Sequence, residues 1–101
     1  MEAVNADMRR AVKLVERAGQ EGSAPSTMAF DIRLLPGDRL PPTKGRAEEA
    51  VLEVKLFCRA KPHLSHLVHL GVRRRYPKSA RQTIVSAIGL LRADMEAAGA
   101  L

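Results

Sequence analysis

The chain has 101 residues, enough for one domain spanning 1–101 and too few for a second core. Leu, Ile, Val and Phe fill 25 positions, which excludes wholesale disorder. Seventeen Lys and Arg stand against 11 Asp and Glu, a net charge of +6, and the charge is segregated. From Val54 to Ala93 there are nine basic residues and no acidic one, while the other 61 residues carry eight basic and 11 acidic. A positive field of that kind attracts nucleic acid, an anionic membrane or an acidic protein.

A lone cysteine, Cys58, excludes an internal disulfide and points to a reducing, cytoplasmic location. The uncharged run Gln82–Leu91 is far too short to span a bilayer. Early Glu2 and Asp7, without an apolar core, argue against a secretory leader. Arg outnumbers Lys 12 to 5, the bias expected of a GC-rich bacterial or phage genome.

Taken along the chain, the first predicted element is a helix over about Ala6–Ala18. Val4, Met8, Ala11, Val12 and Val15 share one face; Arg9, Arg10, Lys13 and Arg17 share the other. Asn5 is its candidate cap and Gly19 its candidate stop. Gln20–Thr27 reads as a loop. Met28–Leu35 then alternates, with Met28, Phe30, Ile32 and Leu34 opposed to Ala29, Asp31 and Arg33, which predicts one short strand. Pro36-Gly37-Asp38-Arg39 is a turn, and Pro41-Pro42 bars any continuation. A lone strand needs a partner for its backbone, so a second copy or another protein is expected beside it.

A second helix is predicted over about Arg46–Ala60 from Ala47, Ala50, Val51, Val54, Phe57 and Cys58, widened by Leu52 and Leu56. A short third, about His63–Arg74, buries Leu64, Leu67, Val68, Gly71 and Val72 after Pro62. The fourth opens on a capping pattern, Ser79 with Gln82. Its apolar stripe is Ala80, Ile84, Ala87, Ile88, Leu91, Met95 and Ala98, with Gly99 as the stop. Its reverse side carries Val85, Gly89 and Ala93, small or apolar positions that suit a partner surface. The expected fold is therefore mainly α, a small bundle of about four helices with one short strand near 28–35.

His63, His66 and His69 recur every three residues, and Cys58 precedes them. A metal reading is set aside: Cys58 falls on an apolar face, and Arg73 lies four residues beyond His69 and repels a cation. Cys58 as a nucleophile is disfavoured too, because an apolar setting raises a thiol pKa. Glu48, Glu49 and Glu53 suit a helix N-terminus. Pro36–Gly45 lacks phosphate-loop spacing. No enzyme, metal or cofactor is expected.

The basic stretch carries the functional expectation. Arg73, Arg74, Arg75, Lys78 and Arg81 bracket the junction before the last helix, and His66 and His69 extend them. Arginine forks suit phosphate, and helix-start amides add donors. Arg81 and Gln82 are the candidates for reading bases. Phe30, Phe57 and Tyr76 are the only aromatics, which disfavours stacking on single strands or anchoring in a membrane surface.

Pro36-Gly37-Asp38-Arg39-Leu40-Pro41 resembles the segment between the first two helices of GntR-type winged-helix regulators. Ser79-Ala80-Arg81-Gln82-Thr83-Ile84, with Ala87, Leu91 and Gly99-Ala100-Leu101, resembles that family's recognition helix and the segment just after it. The likeness covers about a quarter of the chain, with 37 residues between its two pieces, and it implies DNA binding. The expected function is thus a non-enzymatic nucleic-acid binder acting on duplex DNA or structured RNA. The alternative is a protein-interaction module, an adaptor or inhibitor that docks its basic face on an acidic protein or uses the Val85, Gly89 and Ala93 stripe.

Overall fold

The structure, a computed structural model, describes residues 2–35, 51–71 and 78–101. In chain order these form α1(Glu2–Glu21), β1(Met28–Leu35), β2(Val51–Cys58), β3(Ser65–Gly71) and α2(Lys78–Ala97). The strands make one antiparallel sheet in the order β1-β2-β3, so β2 is central.

Alternation along β2 sets the core. Leu52, Val54, Leu56 and Cys58 are all 0% exposed, and each row extends to its neighbours. Leu34, Leu52 and Leu70 make one row, Ile32, Val54 and Val68 the next, Phe30, Leu56 and His66 a third. Both helices lie on this face. α1 sits over β1 and presses Ala11, Val15 and Ala18 inward; α2 sits over β2 and β3 with Ile84, Ile88, Leu91 and Met95. Burying each large side chain contributes about 1.5–3 kcal/mol. The opposite sheet face carries the rows Ala29–Phe57–Ser65, Asp31–Lys55–Leu67 and Arg33–Glu53–His69. Among the described residues no element covers it.

The bundle of about four helices is overturned: this is an α+β fold of two helices on a three-stranded antiparallel sheet. The segments expected as helices two and three are β2 and β3. In β2 the helical face of Val51, Val54, Phe57 and Cys58 overlaps the true alternation, because Val51 and Phe57 are apolar on the outer face as well. In β3 the inward set is His66, Val68 and Leu70, with Leu64 just before the strand, and the polar His66 interrupts the apolar period. The strand over Met28–Leu35 is as expected, and its first partner is β2 of the same chain. β2 and β3 fill the stretch between the two pieces of the GntR-type resemblance, where helices were expected. The turn and prolines at 36–42, the phosphate-loop candidate at 36–45, Glu48, Glu49 and residues 72–77 lie outside the described residues.

α1 runs past Gly19 to Glu21, and both helices finish in the same way. Ala24 N–H donates to the Gly19 carbonyl at 2.9 Å and Ser23 N–H to Gln20 at 3.1 Å. Ala100 N–H donates to Met95 at 2.7 Å and Gly99 N–H to Glu96 at 3.1 Å. Each pair is a Schellman closure around a left-handed residue, Ser23 with φ 51° and Gly99 with φ 67°.

Candidate nucleic-acid interface

The residues expected to bind nucleic acid separate into three groups. Lys78 is the exposed first residue of α2, whose first turn holds no acidic side chain. Arg73, Arg74 and Arg75 precede it and lie outside the described residues. Arg81 and Gln82, by contrast, both turn to Glu21 at the end of α1. Arg81 Nε lies 2.8 Å from Glu21 Oε2, and Gln82 Nε2 donates to Glu21 Oε1 at 3.2 Å. Gln82 therefore pins α1 against α2 and does not close a capping box on Ser79. The helix itself begins one residue before Ser79.

The two histidines do not share a face. His66 points to the helix side, where its Nε2 lies 2.9 Å from Asp94 Oδ2 on α2. His69 points to the bare side, 2.9 Å from Glu53 Oε2, with Arg33 Nη1 at 3.9 Å from Glu53 Oε1. A shift of three residues reverses direction in a strand, whereas in a helix it keeps a face. Asp94 and Glu53 immediately flank the acid-free stretch, so folding brings carboxylates to two of its residues.

Two more basic residues of that stretch serve as helix caps. Arg92 Nη2 on α2 donates to the carbonyls of Gly22 and, at 2.9 Å, Ser23, the two residues just beyond the end of α1. Lys61, in the β2–β3 turn, donates through Nζ to the Ala98 carbonyl at 3.0 Å, beyond the end of α2. Cations at helix C-termini satisfy orphan carbonyls and oppose the dipole. These roles join residues 70 and 37 positions apart, and no local sequence signal marks them. Of the stretch, Lys55, Arg59 and Lys78 remain as exposed cations among the described residues, with Lys55 Nζ 5.9 Å from the Phe57 ring centroid. Arg9, Lys13 and Arg17 add an exposed line along α1.

The proposed partner stripe is also divided. Val85 is half-buried against the core, whereas Gly89 and Ala93 are exposed beside Leu90, itself 58% exposed. An open groove of about 620 Å³ runs between α1 and β1, lined by Val12, Val15, Met28, Phe30, Ile32 and the exposed Arg59. The sequence carries no mark of it, because its helix and strand walls come from separate elements joined only by the fold. Among the described residues, no three His, Cys, Asp or Glu converge on a metal-sized gap, and no helix is long and apolar enough to cross a membrane.

No protein-family model matches the chain, and no curated protein or solved structure matches it significantly. Function therefore rests on the residues alone.

Proposed function

We propose that this chain is a non-enzymatic nucleic-acid-binding protein that grips phosphates at the start of α2. The observation that carries the reading is the opening of α2. A helix N-terminus bears partial positive charge and ordinarily attracts acidic side chains. Here the first turn has none, begins on exposed Lys78, and comes shortly after Arg73, Arg74 and Arg75. Such an end suits an anion, and a run of forked guanidiniums beside the helix-start amides suits phosphate oxygens. Because Arg81 and Gln82 are engaged with Glu21, the reading assigns them to holding α1 on α2. What remains is backbone contact, which positions a duplex without reading its sequence.

The test is a salt titration of binding to a generic DNA duplex and a folded RNA. Binding is expected to weaken linearly in log–log form, with a slope of about −0.9 per phosphate contact on DNA. Lys78→Glu should lower that slope by about one contact, and joint reversal of Arg73, Arg74 and Arg75 should abolish binding with the fold intact. Absence of binding to both ligands at low salt rejects the proposal. The second reading, a protein-interaction module, is favoured by one observation, the exposed Leu90 between Gly89 and Ala93.

A further inference from the structure

We propose that the outer edge of β1 pairs antiparallel with β1 of a second copy, centred on Ile32, to make a continuous six-stranded sheet. Backbone direction comes first. Arg59 N–H donates to the Thr27 carbonyl at 2.8 Å. Hydrogen-bonded and non-hydrogen-bonded pairs alternate in an antiparallel ladder. The odd residues of β1 therefore bond to β2, and the N–H and C=O groups of Phe30, Ile32 and Leu34 point to the outer edge. Met28 is already engaged, since its N–H donates to the Pro25 carbonyl at 2.9 Å. Among the described residues no strand pairs with that edge.

A twofold register centred on Ile32 places Phe30 opposite Leu34 of the second copy and Ile32 opposite itself. All three free residues are then paired, and none is left over. The same register sets Asp31 opposite Arg33 of the second copy, twice, at the closer non-hydrogen-bonded positions. Slipping the register to centre on residue 31 or 33 keeps the inward set together. It also brings Asp31 onto Asp31, or Arg33 onto Arg33, and like charges directly opposite are unfavourable. Charge thus selects one register out of three. β3, the other edge, has no such code: its outer-face residues are Ser65, Leu67, His69 and Gly71.

The groove between α1 and β1 gives the seam its inner surface. Ile32 and Phe30 line it from the strand, and Val12, 39% exposed, lines it from α1. A dyad perpendicular to the sheet keeps both helix layers on one side and joins the two grooves over Ile32. On the other face the charges alternate across the seam, as Glu53, Arg33, then Asp31 and Lys55 of the second copy.

The measurement is molar mass by light scattering or sedimentation on the full chain, together with circular dichroism. The native protein is expected at twice 11.0 kDa. Arg33→Asp leaves only acids, and Asp31→Arg only bases, at these positions, so each variant alone is expected at single mass. An equimolar mixture of the two restores complementarity and is expected to return to double mass as a heterodimer. Ile32→Pro deletes an outward N–H without touching the bonds to β2 and should give a folded monomer. Three results overturn the proposal. They are a native protein that stays at single mass when concentrated, a folded Ile32→Pro that remains dimeric, and a mixture that stays monomeric. The first would assign the groove to a different partner.

Discussion

The two helix ends share a backbone design and differ in side-chain chemistry. α2 turns on Gly99, which adopts a left-handed φ freely, and the Ala98 carbonyl just beyond the helix receives one flexible lysine, Lys61. α1 turns on Ser23, a residue with a Cβ, and it receives a planar guanidinium that bridges two carbonyls from the neighbouring helix. The end with the less favourable local residue has the stronger tertiary clamp. Among the described residues of the acid-free stretch, Lys61, Arg81 and Arg92 are thus engaged within the chain, and a count of charge along the sequence overstates the surface free for a ligand.

The largest effect expected from this contrast is at Arg92. Arg92→Met keeps the stem but leaves the Gly22 and Ser23 carbonyls without their donor. Hydrogen bonds from charged groups are worth about 1.5–3 kcal/mol, so a loss of about 2 kcal/mol is expected by chemical denaturation. Lys61→Met removes a single bond to a single carbonyl and should cost about 0.5–1 kcal/mol. Equal losses at the two ends would break the comparison. Gly99→Ala comes next. Space is open around Gly99, so no clash is involved, but the left-handed φ alone should cost about 1 kcal/mol.

These contacts also explain how far the chain was legible. β1 could be read because Asp31 and Arg33 interrupt its apolar residues at the right period. α1 and α2 could be read because their stripes hold 3.6-residue spacing for several turns. β2 and β3 could not, for opposite reasons. β2 is apolar on both faces at Val51 and Phe57, so two periods fit it equally. β3 turns His66 inward, where Asp94 meets it, and so lacks a clean alternation. The start of α2 as a basic end was visible in Lys78. The diversion of Arg81 and Gln82 was not, because Glu21 lies 60 or more positions away and reaches them only through helix packing. The β1 edge was half legible. Sequence asked for a partner to the strand, and among the described residues the fold supplies one on one side only.

The smallest effect is the most informative about why the ends differ. Ser23→Gly removes the Cβ from a residue held at φ 51°. A non-glycine residue there costs about 1–2 kcal/mol, of which added glycine freedom in the unfolded chain returns about 0.5–1 kcal/mol. The net gain should be about 0.5 kcal/mol, a rise of a few degrees in Tm. The sharper measurement is the same substitution in the Arg92→Met background. If Arg92 is what holds Ser23 left-handed, losing it lets the α1 terminus relax and release the strain, and glycine then has less to relieve. The gain from Ser23→Gly should therefore shrink in the double variant, a non-additivity expected of residues that share one contact. Strict additivity would mean that the Schellman closure from Gln20 and Gly19 holds Ser23 by itself, and that the clamp and the strained residue sit at the same helix end without acting on each other.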